Sequence, residues 1–575
     1  MTEAQKIEQI NPEDQRSEVL KVHTSAINNA VLFRQEMIAN NFPSERLLTA
    51  QNNGPTTLPG LNNYQAESLI FNTRYQYHPF VIVMCQTTEE VQQAYKTAIN
   101  YELPVRVRAG GHDHAGECSG DNVILIDVTG LKHFELDKDT NVATIGAGYR
   151  FYQLTPKLAE EERMIAHGTC ATVGLTGFIQ GGGWGPWTRK HGMCCESLVG
   201  ATLILGDGTL IELSDKDTEE NKQELLWALR GGGGMSYGII TELKLQTFAL
   251  PKEIHRFEIE WNVTKQKKSK HRYCTPQNDT PTIKLLRQWE KAITSKETPQ
   301  LLGTNLQINA IPSSSDTTDV TKLHHHSLMY GYWEGTKAEL ENFIHDYFKN
   351  VTRDQVTIHE AHGAGYDIKY DHGLMSNWAR NSLYDVSKRL GKSGTLTQEG
   401  TPFTPDYDAP APHKLTSRFV KKEGLEKKGH EQLLQSLTSP LVRLENEQNG
   451  LFSYVTLGAI QGEFYQSQHN LPDIAFPYRN RQYTIQYQTW WNLDIEQKLE
   501  QQDNKVYIST NRAMDWIDMG REAEIENTDG AFISFKDPAI PTEIYFNDSY
   551  DRLVKVKKKY VKDTFNHLRT RKTII

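Results

Sequence analysis

Three glycine-rich segments carry side chains suited to chemistry. The first is Arg108-Ala109-Gly110-Gly111-His112-Asp113-His114-Ala115-Gly116. The second runs from Gly168 through Cys170, Gly174 and Gly177 to Gly185, and the third from Gly231 to Gly238. Glycine lets the backbone approach a ligand closely and adopt positive φ. Successive bare N–H groups can then line a concave anion site, and a pyrophosphate meets that description. His112 and Cys170 add an imidazole and a thiol, nucleophiles when neutral and ionised respectively. One such loop is as readily a plain turn as a site. Three together, two of them bearing a nucleophile, point to a cofactor cradle.

Other familiar signatures do not match. The chain has no GxxxxGK[ST], no HExxH, and no GxGxxG set between a strand and a helix with an acid about 20 residues on. Gly234-Met235-Ser236-Tyr237-Gly238 spells GxSxG, but a strand follows it where a hydrolase elbow needs a helix. Three successive side chains, His324-His325-His326, cannot converge on one ion from a strand and read as surface histidines. Cys85, Cys118, Cys194, Cys195 and Cys274 read as thiols outside any disulfide framework.

The positioning elements follow from pattern. Phe80–Cys85 reads as a buried strand, with Thr87 or Thr88 capping a helix that places Val91, Ala94, Tyr95, Ala98 and Ile99 on one face. Pro104–Arg108, Val123–Val128, Val142–Ala147 and Gly238–Phe248 read as strands. Ala201–Leu205 and Thr209–Leu213 flank Gly206-Asp207-Gly208 as a hairpin. After Pro251 the character changes: helices are expected over Lys284–Thr294 and Thr336–Phe348, and strands over Asn305–Ala310 and Ser327–Trp333. Loops are expected over Asn52–Asn63, Lys265–Lys270 and Pro402–Pro412. A tail helix, Tyr550–Tyr560, buries Leu553, Val556 and Tyr560 and leaves Lys555, Lys557, Lys558 and Lys559 to solvent.

A chain of 575 residues is too long for one simple core. A formal charge of −9 argues against nucleic acid or an anionic membrane as the main partner. No apolar run approaches the roughly 20 residues that cross a bilayer. The opening MTEAQKIEQINPEDQ has no apolar core, so the expected location is cytoplasmic.

Taken together, the segments resemble the berberine-bridge-enzyme-like branch of the vanillyl-alcohol-oxidase (PCMH-type FAD-binding) flavoprotein family. The likeness runs from about residue 74 to 249 and returns in short blocks from about 475 to 565. YHPFVIVMCQTTEEVQQAYKTAINYELPVRVRAGGHDHAG resembles the opening block, whose histidine is His112 here. GTCATVGLTGFIQGGGWG resembles the second block, whose cysteine is Cys170. ALRGGGGMSYGIITELKL resembles the stretch closing the adenine pocket at Ile240. FPYRNRQYTIQYQTWW resembles the motif carrying a catalytic tyrosine, and EIYFNDSYDRLVKVKKKYVKDTFNHL resembles the terminal block. Three positions depart from the pattern. Trp184 stands for the GGGYG tyrosine, Asn547 and Ser549 for the terminal glycine and asparagine, and Met235-Ser236-Tyr237 alters GGxGNFG.

The resemblance implies an α+β fold. A PCMH-type FAD-binding domain of two subdomains (residues 74–250) would follow an N-terminal extension (1–73). A substrate domain with a helix-covered antiparallel sheet (251–500) would come next, then a C-terminal segment (501–575) returning to the first domain. It implies FAD linked through His112 at the flavin 8-methyl and Cys170 at carbon 6. Arg108, Ala109, Gly110, Gly111, Asp113, Gly116, Gly168, Val173, Gly174, Gly177, Ile240, Tyr545 and Ser549 would also bind the cofactor. Tyr487 would be the base and Trp184 a substrate contact. Val173, small at the gate position, favours an oxidase that gives hydrogen peroxide. The expected substrate is a small molecule, a sugar or polyol alcohol or hemiacetal, consumed with O2 by a monomer or homodimer. The alternative is a tailoring oxidase of a phenol, alkaloid or polyketide. A non-catalytic flavin sensor is the reading from another class.

Overall fold

Short apolar strands over residues 80–128 pair around a buried centre. In the computed structural model, Val81–Met84 and Val105–Arg108 flank Ile124–Asp127 in parallel, and Leu47–Leu48 adds an antiparallel edge. Residues 12–51, 63–170, 172–234, 236–262, 280–313, 319–362, 411–443, 445–467, 471–491, 495, 509–560 and 568 are described. Most of the loops expected at Asn52–Asn63 and Pro402–Pro412, all of Lys265–Lys270, and Cys274 lie outside them.

The helix Thr88–Asn100 joins the first two strands. Thr87 Oγ1 accepts the Glu90 N–H at 3.2 Å, a cap worth about 1 kcal/mol. Val91, Ala94, Tyr95 and Ala98 pack against the sheet. Ala30, Phe33 and Met37 of the helix Pro12–Ala39 enter this same core.

A second sheet holds five antiparallel strands in the order Phe134–Asp137, Val142–Gly146, Ile239–Gln246, Leu198–Ile204, Leu210–Ser214. The expected hairpin turns at Gly208, whose φ of +82° lies in the region glycine tolerates. The first glycine segment follows Val105–Arg108, the third precedes Ile239–Gln246, and the second leads into the helix Leu175–Gln180.

The third sheet is large and antiparallel. Its order is Val356–His362, Glu253–Trp261, Ser327–Glu334, Leu301–Asn309, Leu451–Ala459, Tyr483–Trp491, His413–Val420, Thr528–Asp529. One face is closed by the helices Thr282–Thr294, Lys337–Tyr347, Glu426–Ser436 and Thr510–Glu522, through Trp289, Phe343, Leu433 and Trp516. The architecture is the expected α+β arrangement.

The tail returns later than expected. Residues 510–529 still serve the large sheet, and the chain joins the glycine-bearing core only from Ala531 onward, with Phe532, Tyr545, Leu553 and Val556. Two polar expectations change. Lys557 is tucked in at 8% exposure, because it lies one turn past the buried Leu553 on the same helix face. His325 is fully buried, with its Nδ1 3.0 Å from Thr282 Oγ1. Among the described residues no helix is long and apolar enough to cross a membrane, and Cys85, Cys118, Cys170, Cys194 and Cys195 form no disulfide.

Trp516 is wholly buried and donates from Nε1 to the Ser436 carbonyl at 3.1 Å. Trp516→Ala is expected to cost about 3–5 kcal/mol, read as a lower thermal midpoint. An unchanged midpoint would contradict this packing.

Candidate active site

The loop after Val105–Arg108 is anchored at its root. Arg108 is buried and its Nε donates to Asp127 Oδ2 at 2.6 Å, tying the strand end to its parallel neighbour. Asp113 then folds the loop: its Oδ1 accepts from Ala115 N at 2.9 Å and Glu117 N at 3.0 Å. Its Oδ2 meets Lys536 Nζ at 2.6 Å, and the same ammonium reaches Glu117 at 2.9 Å. Burial alone would raise the Asp113 carboxyl, but Lys536 holds it below the usual carboxylate range. Burial would likewise lower the Lys536 ammonium, but the two carboxylates raise it. Removing one member of such a group leaves uncompensated buried charge.

The second glycine segment meets the first backbone to backbone. A Cβ on Gly110 would stand 2.3 Å from Gly174 N, and one on Gly174 would stand 2.6 Å from Gly110 N. No other residue fits at either position. Across this seam His112 Nε2 and Thr172 Oγ1 share a 2.7 Å hydrogen bond. The Phe71 ring stacks on His112 at 3.9 Å. Burial pushes His112 well below its ordinary pKa, so its imidazole is neutral and nucleophilic.

His112 and Cys170 line one cavity of about 340 Å³. Its far wall is the uncovered face of the large sheet, with Asn305, Tyr454, Thr456, Thr484, Gln486, Gln488 and Trp490. Gln488 Nε2 donates to Thr456 Oγ1 at 2.8 Å, and Trp490 Nε1 donates to Gln488 Oε1 at 3.0 Å. Asn305 Nδ2 donates to Tyr330 Oη at 2.8 Å, while its Oδ1 is buried with no partner among the described residues. Such an acceptor costs about 1–3 kcal/mol until a donor arrives. Trp184 Nε1 donates to Ala459 O at 2.6 Å, so the indole bridges the two walls above Gly458. His114 also lines the cavity, and its Nδ1 lies 2.9 Å from His413 Nε2.

Residues 79–214 match the FAD binding domain family, and residues 531–575 match the family described as berberine and berberine like. Berberine bridge enzyme-like C-1 of Nicotiana tabacum is 24% identical over 531 residues, covering 87% of this chain and 86% of that protein. Two stretches of the chain thus match family models of FAD-binding and berberine-like proteins, and the chain is similar to a berberine bridge enzyme-like protein over most of its length. Glucooligosaccharide oxidase of Sarocladium strictum is 30% identical over 252 residues, 43% of this chain but only 46% of that protein's length. The fold is shared with the solved glucooligosaccharide oxidase of Acremonium strictum, whose FAD is described as 6-S-cysteinyl, 8α-N1-histidyl. The TM-score there is 0.64 at 19% identity, covering 88% of this chain and 94% of that one.

The residues of this chain fit an FAD. Bare glycine backbone at Gly110, Gly111, Gly168, Gly174, Gly177, Gly233 and Gly238 walls the cavity, which His112 and Cys170 also line. Of the residues expected to bind the cofactor, Ala109, Asp113, Val173 and Ile240 also line it, as does the expected substrate contact Trp184.

Five expected site residues stand elsewhere. Arg108 is spent on Asp127 and Glu67. Gly116 abuts the Tyr75 ring, where a Cβ would sit 2.7 Å from Cδ2. Tyr545 exchanges hydrogen bonds with the Asp537 backbone, and Ser549 lies at the start of the tail helix. Tyr487 is the main correction. It is fully buried on the helix-covered face, with its Oη 2.6 Å from Ser436 Oγ and its ring against Trp516. Burial first, against Arg418 and Ser436, raises its hydroxyl above the ordinary value, the wrong direction for a base. Strand period explains the miss: Gln486 and Gln488 face the cavity and Tyr487 faces away. The alternation of Gln with Tyr and Ile over residues 483–488 carried that signal.

Gly110→Val should force the two loops apart, and the purified protein should lose bound flavin colour. Full retention would contradict the seam. Tyr487→Phe should cost about 1 kcal/mol of stability and leave turnover unchanged. Abolished turnover in a folded Tyr487→Phe protein would restore its assigned role.

Proposed function

We propose that this chain is an FAD-dependent oxidase that holds its flavin through both His112 and Cys170 and oxidises an alcohol or hemiacetal carbon of a sugar or polyol. O2 would reoxidise the cofactor and yield hydrogen peroxide. The observation that carries this is the cavity itself: one wall presents an imidazole and a thiol, and the facing wall presents amides, hydroxyls and indoles. The bound flavin supplies a two-electron acceptor for hydride.

The chain's own residues do the rest. Thr172 and Phe71 fix the His112 ring by a hydrogen bond and a stack. Two tethers hold a cofactor without a closing lid, which leaves room for a bulky substrate. The carbonyl of Asn305 waits for a hydroxyl donor, as a polyol would provide. Trp184 and Trp490 offer apolar faces between those polar groups, the mixture that sugar rings require. Val173 stands at the cavity and leaves room for O2. Phe71 and Phe535 on the same lining favour the second reading, an aromatic substrate, at that end of the cavity.

The test is acid precipitation of the purified protein, followed by substrate panels. Yellow colour should stay in the pellet for wild type and for each single variant, His112→Ala and Cys170→Ala, and pass to the supernatant only in the double variant. Peroxide should appear with oligosaccharides rather than with aromatic alcohols. Colour released from wild type would overturn the bicovalent linkage, and peroxide from aromatic alcohols alone would select the second reading.

A further inference from the structure

With Tyr487 turned away, the cavity needs another group to take the substrate's hydroxyl proton. The titratable side chains on its lining are few. Asp113 and Glu117 are both held by Lys536. Burial first, then Asp113, pushes the Cys118 thiol up to about 12, so it stays protonated. His112 and Cys170 are the proposed flavin anchors, and the buried Tyr454 hydroxyl donates to Gln488 Oε1 at 3.5 Å. His114 is left.

We propose that His114 is the catalytic base of this site and that His413 is its positioning residue. The inference rests on the flavin-oxidase reading above. His413 is wholly buried and its Nδ1 lies 2.8 Å from the Ala411 carbonyl. A carbonyl only accepts, so that nitrogen carries the proton. In the neutral ring Nε2 is then bare, and at 2.9 Å it can only accept from His114 Nδ1. The relay leaves the lone pair of His114 on Nε2, the nitrogen not spent on His413. His114 keeps partial exposure on the cavity wall, as a proton acceptor must.

The pair is built rigidly. Trp490 stacks on His413 at 3.8 Å. Asn72 Nδ2 donates to the carbonyls of both histidines, at 2.7 Å and 3.1 Å, and Asn72 Oδ1 accepts the His413 N–H. Phe71 sets its ring edge-on to both imidazoles while stacking on His112. One aromatic ring therefore registers the flavin anchor against the base. The charged and titratable groups around the pair are Asp113, Glu117, Lys536, His112 and Arg74. Burial is the main cause that lowers His114, to about 4, with Asp113 opposing and Lys536 adding to it. It is therefore an unprotonated acceptor throughout the neutral range.

The reaction balances. The substrate O–H bond breaks and its proton moves to His114 Nε2. The oxygen's electron pair forms the C=O bond, and the C–H pair leaves as hydride to the flavin. O2 takes the two electrons and two protons as hydrogen peroxide, one of those protons returning from His114.

The experiment uses the holoenzyme with an oligosaccharide that reduces the wild-type flavin without oxygen. His114→Gln keeps the shape and the bond to His413 but removes the base. It should retain pellet-bound flavin and the affinity for an unreactive deoxy analogue, while flavin reduction slows by about 10²–10⁴-fold. In wild type, reduction should fall below about pH 4, and the resting flavin's absorbance should shift over the same range without substrate. Both features should vanish in His114→Gln. His413→Gln should give a smaller loss with a displaced acid limb, and added imidazole should restore part of the rate in His114→Ala. Reduction slowed less than about tenfold in His114→Gln, or a greater loss in Tyr454→Phe, would overturn the assignment. If His114→Gln loses flavin, an undisplaced acid limb in His413→Gln overturns it instead. A wild-type flavin reduced by no sugar or alcohol would defeat the oxidase reading, a separate outcome.

Discussion

The contact between Gly110 and Gly174 is the constraint on which the rest depends. The loop after Val105–Arg108 and the loop that caps the helix Leu175–Gln180 meet with no side chain between them, at separations a single methyl would forbid. That contact brings the block bearing His112 beside the block bearing Cys170, and the Thr172 bond crosses the seam it creates. The buried Asp113–Lys536–Glu117 group then ties the histidine loop to the returning tail. Arg108, buried against Asp127, holds the same loop at its root. Each of these groups is costly to bury alone and is stable only because its partners are present.

The large sheet supplies the second requirement, a wall with two different faces. Period-2 alternation sends Tyr483, Ile485 and Tyr487 into the apolar core under the helices. The same strand turns Thr484, Gln486, Gln488 and Trp490 toward the cavity. Stability and recognition are thereby separated by parity within nine residues. The polar face is largely self-satisfied, Gln488 bridging Thr456 and Trp490, with Asn305 holding a buried acceptor in reserve. A polar wall that is mostly pre-bonded is rigid, and the residual acceptor gives it direction.

Much of this was legible in the residues. The strand and helix pattern over residues 80–128, the hairpin at Gly208 and the glycine segments all appear where their periodicity and turn chemistry put them. His112, Cys170 and most of the glycine-segment residues singled out share one cavity for the same local reason: they ride on loops that the sequence marks. The misses are long-range. Arg108 and Tyr545 resembled cofactor contacts but are consumed by partners that only folding brings near, Asp127 and the Asp537 backbone. His413 meets His114 across 299 positions, and nothing local to either residue announces the pair. Tyr487 differs for another reason: its motif points toward the site, but strand parity turns its side chain into the helix-covered core.

Mass spectrometry of peptic fragments from the yellow holoprotein decides whether both side chains carry the cofactor. One flavin-bearing species is expected, in which a peptide containing His112 and a peptide containing Cys170 are joined through the same isoalloxazine. Unmodified His112 and Cys170 peptides recovered from fully yellow protein would contradict it.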